Sequence, residues 1–201
     1  MARPINEENR EIIRKRICDA AYIVFCSKGY LKASITDIIN EAGMSRGEFY
    51  HYFNSVDEVF QLTVHYRRQH NLYDIKTISE QVSSFSELLD DFFQWQRERL
   101  LHVNDGMLRS VYEYLFSHIG NENDDFQIEL KTNQEHYISE IISYGVSTGS
   151  IPLSKTELDL IVEHWIHTIE GLNARAMFRF ISAETIDRQL VTLKNMLGTK
   201  K

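Results

Sequence analysis

Residues 35–53 read ITDIINEAGMSRGEFYHYF, and the spacing of apolar and capping residues in this stretch decides the fold prediction. Two short helices can cross steeply through a turn of about three or four residues when that turn contains a glycine, here Gly43. The inner faces then need apolar residues on both helices and a small residue near the crossing. Residues of these types stand at the required positions: Ile38, Ala42, Met44, Phe49 and Tyr52. The stretch therefore predicts a helix-turn-helix.

The pattern S/T-x-x-E/D, which satisfies free backbone N–H groups at the start of a helix, recurs before apolar periodic runs. Its serines are Ser34, Ser45, Ser55 and Ser154. A first helix is predicted between the N-cap Asn6 and the terminator Gly29. Apolar periodicity predicts further helices near 35–42, 46–52, 56–72, 84–103, 106–119, 124–145, 155–180 and 183–197. No stretch shows strand alternation or a hairpin turn, so we predict an all-α fold of about nine helices.

The composition supports this prediction. Apolar residues make up 43% of the 201 residues, and only nine residues are Gly and two are Pro, which favours helices over a turn-rich β protein. The net charge of −7 is uneven: residues 1–70 carry ten Lys/Arg against nine Asp/Glu, and residues 71–201 carry twelve against twenty. Cys18 and Cys26 lie eight residues apart on one predicted helix. This places them about 12 Å apart, too far for a disulfide, so we expect both to be reduced.

No apolar run approaches the roughly 20 residues of a membrane span, and MARPINEENR at the N-terminus lacks the apolar core of a signal peptide. We therefore expect a cytoplasmic protein without a membrane partner. No nucleophile elbow, phosphate-binding glycine loop or zinc-spaced Cys/His cluster is present, so the sequence does not favour an enzyme.

The helix-turn-helix lies within a longer pattern, FCSKGYLKASITDIINEAGMSRGEFYHYFNSVDEVF, at residues 25–60. The elements that carry this pattern are Phe25, Gly29, Ser34, Asp37, Ile38, Ala42, Gly43, Ser45, Gly47, Tyr50, His51, Tyr52, Phe53, Asp57, Glu58 and Phe60. The run resembles the N-terminal domain of the TetR (tetracycline-repressor-like) family of bacterial transcription regulators. The resemblance implies a three-helix DNA-binding domain over residues 1–54. Residues 55–201, with GVSTGSIP and IEGL, resemble the helical ligand-binding and dimerisation domain of that family, and the helix near 56–72 connects the two.

Of the four aromatic residues in SRGEFYHYF at 45–53, Tyr50 is predicted to face outward together with Arg46 and His51. A Tyr hydroxyl, an imidazole N–H and a guanidinium all donate to phosphate oxygens. Arg46 could instead reach guanine O6 and N7 in a bidentate pair. The alternative is that Tyr50 and His51 are simply half-buried, as both residue types often are.

The resemblance implies further DNA contacts around this helix. Ser34 and Thr36 would contact the backbone, and Gly47 would let the helix approach closely. Glu48 would complete a capping box with Ser45 rather than read a base. The predicted DNA-contacting residues are therefore Ser34, Thr36, Ser45, Arg46, Gly47, Tyr50 and His51.

Three positions depart from the family pattern. Asn54 and Val56 stand where lysine is usual, and Ile39 stands where alanine is common. Residues 31–60 hold two Lys/Arg against five Asp/Glu, which weakens the expected attraction to phosphates. Basic residues of the first helix are expected to compensate in part: Arg10, Arg14, Lys15 and Arg16.

The C-terminal part is rich in aromatic residues, and helical domains build small-molecule sites between their helices. The candidates for an inducer pocket are Phe92, Trp95, Tyr112, Phe116, Tyr144, His164, Trp165, His167 and Asn173. The segment EHWIHTIE at 163–170 places two histidines on one face, but a single helix cannot supply three or four metal ligands. No metal and no cofactor are predicted.

The resemblance also implies a homodimer through the last two helices. The candidate interface residues are Gly171, Ala174, Ile186, Leu190, Leu193 and Leu197. The alternative for the apolar stripe of the last helix is packing within its own subunit. The predicted function is a regulator that binds a double-stranded DNA operator, acts as a repressor and is released by a small-molecule inducer. The alternative is a DNA-bound structural or protein-recruiting factor without a ligand.

Overall fold

The computed structural model describes residues 7–71, 75–121, 124–152 and 154–198. These residues form an all-helical protein, which confirms the predicted fold class. The α-helices are α1 Glu7–Lys28, α2 Ile35–Ala42, α3 Arg46–Phe49, α4 Val56–Asn71, α5 Ile75–Ser79, α6 Phe85–Leu101, α7 Leu108–Ser117, α8 Asp125–Ser147, α9 Lys155–Met177 and α10 Ala183–Asn195. A 3₁₀ turn covers Val103–Asp105. No helix within the described ranges is long and apolar enough to cross a membrane.

Two differences from the sequence prediction concern short helices. The helix expected near 46–52 ends at Phe49, because the chain leaves the α conformation for a turn over residues 50–52. The five-residue α5 was not predicted, since so short a segment carries too few apolar repeats to show a period. Side-chain caps confirm the predicted helix starts at Ser34, Ser45, Ser55 and Ser154.

The chain divides into two compact units. The N-terminal unit contains residues 1–72 and 104–122, and the C-terminal unit contains residues 73–103 and 123–201. The predicted boundary after residue 54 differs from this division, because α4 and α7 pack on α1. Their side chains belong to the core of the N-terminal unit, whose fully buried members include Ile17, Phe25, Ile38, Phe49 and Phe60.

Two hydrogen bonds, the first of them buried, attach α7 to the end of α1. The Ser110 hydroxyl donates to the Phe25 carbonyl at 2.8 Å, and the Arg109 guanidinium donates to the Lys28 carbonyl at 3.0 Å. Gly29 follows at φ +80°, a left-handed conformation that favours glycine. A Cβ at this residue would also meet the side chains of α7, so the glycine serves both the turn and the packing.

The C-terminal unit packs α6 against α8, α9 and α10. Phe92 and Trp165 lie at its centre, each without exposed surface, with their rings stacked at 6.0 Å and 10°. Arg97 of α6 pairs with Asp187 of α10 at 2.6 Å. The apolar stripe of α10 is buried in this unit, at Ile186, Leu190 and Leu193.

Candidate nucleic-acid interface

The first element of the interface, α2, is capped at both ends. The Ser34 hydroxyl accepts from the Asp37 backbone N–H, and the Asp37 carboxylate accepts from the Ser34 N–H at 3.1 Å, which completes the capping box. At the other end Gly43 adopts φ +61°, so the chain can turn sharply into α3. Ser34 and Thr36, both exposed, therefore sit at a fixed helix N-terminus, where backbone N–H groups favour phosphate oxygens.

The second element, α3, is held from behind by three aromatic side chains. Phe49 is fully buried, Phe53 is 1% exposed and Tyr52 is 7% exposed. The predicted inward orientation of these three residues is confirmed. A four-residue helix gains little from its own hydrogen bonds, so this anchoring and the Ser45 cap determine where α3 lies.

The outward side of α3 carries Arg46, Gly47 and, in the following turn, Tyr50 and His51, all exposed. The Arg46 guanidinium lies 5.5 Å from the centre of the Tyr50 ring and donates to its hydroxyl at 3.3 Å. Arg46 and Tyr50 therefore form a pair, which the sequence spacing of four residues allowed but did not establish. A Cβ at Gly47 would meet no atom within 4 Å, so this face is open. The structure thus brings Ser45, Arg46, Gly47, Tyr50 and His51 together on one surface.

Two carboxylates near this surface, Asp37 and Glu58, have local partners. Asp37 pairs with Lys28 at 2.6 Å, and hydrogen bonds from Lys28 and Ser34 lower the pKa of the Asp37 carboxyl below its usual value. Glu58 accepts from the backbone N–H of Asn54 at 2.8 Å and from its side-chain amide. Asn54, where lysine is usual in the family, is therefore hydrogen-bonded to the first turn of α4. Local pairing lowers the repulsion that these two carboxylates exert on a phosphate backbone.

Two arginines of α1 that were expected to attract phosphates face the helix-turn-helix instead. Arg16 donates to the Ala42 carbonyl at 2.5 Å. Arg14 donates to the Tyr52 carbonyl at 3.4 Å and lies 4.7 Å from the centre of the Phe53 ring. The expectation of phosphate compensation by Arg14 and Arg16 is not supported by these contacts. The sequence does not reveal these two contacts, because neither hydrophobic periodicity nor net charge shows which way an arginine side chain points.

The candidate pocket residues of the C-terminal part fall in different environments. Phe92 and Trp165 are fully buried, Trp95, Tyr144 and Asn173 are half-buried, and His164 and His167 are exposed. Trp95 lies 6.0 Å from Phe92, and Tyr144 lies 6.3 Å from Phe85. The structure therefore brings Phe92, Trp95 and Trp165 into one cluster.

Two further pocket candidates, Tyr112 and Phe116, belong to α7 in the N-terminal unit, Tyr112 half-buried and Phe116 68% exposed. Packing thus separates the nine candidates into two groups. No group of three or more potential metal ligands occurs in the part of the chain that the structure describes.

The candidate dimer residues also divide into two sets. Gly171 is exposed and Ala174 is half-buried on α9. The α10 stripe is buried within the subunit, with exposures of 1–4% for Ile186, Leu190, Leu193 and Leu197. These four side chains, of which Leu197 lies just beyond the end of α10, are buried in their own subunit. A contact of α10 with another copy would therefore use its exposed side, which includes Val191.

A capped α2, a glycine turn and an anchored α3 with an open basic and aromatic face define a helix-turn-helix DNA-binding protein. The family profile described as "Bacterial regulatory proteins, tetR family" matches residues 17–62. The HTH-type transcriptional regulator SrpR of Pseudomonas putida is 43% identical over 204 residues, which cover 99% of this chain and 88% of SrpR. The chain therefore belongs to the TetR family of transcriptional regulators.

Relatives of lower identity agree with this assignment. The HTH-type transcriptional regulator YfiR of Bacillus subtilis is 24% identical over 182 residues, which cover 89% of this chain and 86% of YfiR. The crystal structure of a TetR transcription regulator from Haloarcula marismortui superposes with a TM-score of 0.75 at 16% identity, covering 94% of this chain and 97% of that one. The likeness to the Haloarcula marismortui structure shows that the two proteins share a fold.

Proposed function

We propose that this regulator represses transcription by binding a palindromic operator as a homodimer, and that a small molecule releases it. The observation that carries the DNA-reading part is the exposed pair formed by Arg46 of α3 and Tyr50 of the following turn, next to the fully buried Phe49. Two copies of α3 related by a two-fold axis would enter successive major grooves. Half-sites are then about one helical turn apart or a little more.

Arg46 and Tyr50 have different roles in this proposal. The Arg46 guanidinium leaves the Tyr50 ring to form a bidentate pair with guanine, and Tyr50 then donates its hydroxyl to a phosphate. Ser34 and Thr36, at the start of α2, and His51 contact the sugar-phosphate backbone. The open surface above Gly47 allows the backbone of α3 to approach the groove.

The test is DNA binding by single variants. A duplex is selected from a randomised pool with the wild-type protein, and binding to it and to random DNA is measured over a salt series. Arg46→Ala is expected to cost about 1–3 kcal/mol per half-site and to relax the preference at one base position. Tyr50→Phe is expected to weaken binding equally on all sequences and to lower the salt slope by roughly one per contact.

Lys131→Ala is the control, because Lys131 is an exposed cation of α8 in the C-terminal unit, outside the predicted dimer helices α9 and α10. It should leave the operator preference unchanged. Wild-type affinity in both Arg46→Ala and Tyr50→Phe would show that α3 is not the reading element.

The proposed inducer is an apolar or aromatic molecule that binds among α6, α8 and α9. Rings from all three helices surround Phe92, namely Trp95, Tyr137 and Trp165. The Trp165 indole N–H is buried without an acceptor among the described residues, and an acceptor atom on a ligand would satisfy it. Phe92 and Trp165 have no exposed surface, so a ligand that reaches them must bind a second conformation of the unit. It weakens DNA binding only if it binds that conformation more tightly than the DNA-bound one.

A compound screen by thermal shift, followed by titration of each stabilising compound into the complex of protein and selected duplex, tests this part. At least one stabilising compound should release the duplex from the wild-type protein and act more weakly on Trp165→Phe. If none releases the duplex, the alternative of a DNA-bound recruiting factor is favoured.

A further inference from the structure

Two arginines of α1, two residues apart, contact the two ends of the segment that would read DNA. Arg16 reaches the Ala42 carbonyl, just before the turn into α3. Arg14 reaches the Tyr52 carbonyl, just after the exposed Tyr50 and His51. The segment between these contacts, residues 42–52, contains the turn, all of α3 and most of the proposed base and phosphate contacts.

The contact of Arg16 completes the C-terminal cap of α2. The backbone N–H groups of Gly43 and Met44 already donate to the carbonyls of Asn40 and Ile39 at 3.3 and 3.2 Å. The last carbonyls of a helix have no partner within the helix, and they carry its partial negative charge. A guanidinium at 2.5 Å from the Ala42 carbonyl satisfies one of these groups with a charged donor.

The contact of Arg14 fixes the chain beyond α3. Residues 50–53 leave the helix through turn hydrogen bonds, such as that from the Tyr52 N–H to the Phe49 carbonyl at 2.9 Å. Arg14 adds a hydrogen bond to the Tyr52 carbonyl. Its guanidinium also makes a cation–π contact at 4.7 Å with the Phe53 ring, which is almost fully buried. A lysine ammonium keeps the charge, but its side chain is one bond shorter, and it lacks the second nitrogen that lets one guanidinium donate to a carbonyl while lying over a ring.

We propose that Arg14 and Arg16 are positioning residues that hold α3 at the correct angle for reading a groove, without themselves touching DNA. This proposal rests on the DNA-reading function proposed for α3 and adds residues that act on its specificity. A side chain that reads a base must lie within about half an ångström of its productive position. Phosphate contacts tolerate more movement, so losing the two anchors should reduce the preference for the operator more than the affinity for random DNA.

Arg14→Lys and Arg16→Lys test the proposal, because each keeps the positive charge and loses the planar donor. Lys15→Gln is the matched control: Lys15 lies between them, is exposed, and would lose a charge without disturbing either contact. In each lysine variant the ratio of affinities for the selected duplex and random DNA is expected to fall about tenfold, as for the partial loss of one bidentate base contact. In Lys15→Gln this ratio should stay unchanged, even if the lost charge alters the salt dependence of DNA affinity.

Hydrogen exchange supplies a readout that does not depend on DNA. Amides of residues 50–53 in Arg14→Lys, and of 43–45 in Arg16→Lys, should exchange about tenfold faster, as expected for the loss of one stabilising hydrogen bond. Amides of residues 17–25 in α1 should keep their wild-type rates, which shows that the variants remain folded.

Unchanged exchange at these amides would overturn the proposal. Faster exchange with an unchanged affinity ratio would overturn its link to specificity. If the wild-type protein selects no duplex at all, the proposed operator reading fails, while hydrogen exchange still decides whether the arginines anchor α3.

Discussion

Truncation of Phe49 to alanine should unfold the DNA-binding unit far more easily than any change on the outer face of α3. Phe49 has no exposed surface, and its ring centre lies 5.6 Å from that of Tyr50 and 5.9 Å from that of Phe53. The substitution removes the buried ring and leaves a cavity that the four-residue α3 cannot fill by itself. Truncations of this kind cost about 3–5 kcal/mol.

The size of this loss is large relative to the stability of a small unit. Total unfolding free energies are of the order of 5–15 kcal/mol. For a unit of this size each kcal/mol lowers the midpoint by about 4–8 °C, so the transition of the N-terminal unit should fall by about 12–40 °C. Tyr50→Phe, on a ring that is 42% exposed, should change the unfolding free energy by less than about 0.5 kcal/mol.

Urea and thermal unfolding followed by far-ultraviolet circular dichroism measure both variants. Tryptophan fluorescence is less suitable, because Trp95 and Trp165 both lie in the C-terminal unit. A loss below about 1 kcal/mol in Phe49→Ala, or an equal loss in Tyr50→Phe, would refute the assignment of Phe49 as the anchor of α3.

Two further outcomes are expected. Gly145→Ala should destabilise the protein by about 1–3 kcal/mol, because the added Cβ would overlap the buried ring of Phe85. Gly171→Ala, where a Cβ meets no atom within 4 Å, should instead stabilise the free subunit by about 0.5–1 kcal/mol. Chemical denaturation at low protein concentration compares the two variants, and equal effects would contradict the packing. Lys28 lowers the pKa of the Asp37 carboxyl in the folded protein. The stabilisation from this pair should therefore be fully present above pH 3.8, the ordinary pKa, and be lost as the pH falls through the lowered pKa. An NMR titration should give Asp37 a pKa below 3.8 that rises in Lys28→Ala, and an unmoved pKa would contradict the pairing.

Most local structure could be predicted from the sequence, because it depends on residues a few positions apart. The Ser34 and Ser154 capping boxes join residues three apart, and both form as predicted. The predicted alternation of inward Phe49, Tyr52 and Phe53 with outward Tyr50 and His51 holds although only Phe49 lies within α3, and burial confirms it. The resemblance of residues 25–60 to the TetR family reflects the same local pattern, since caps, a turn glycine and inward aromatic residues define it.

Tertiary packing decided the features that depend on distant parts of the chain. Nothing in the sequence shows that Arg14 and Arg16 turn toward carbonyls 38 and 26 residues away, because long flexible arginines on a helix surface look alike whether they face solvent or a neighbouring helix. The sequence predicts a dimer contact for the apolar stripe on α10, with packing in its own subunit as an alternative that can hold at the same time. Its burial at Leu190 and Leu193 assigns it to the subunit core, since periodicity indicates that a face is buried but not which helix covers it.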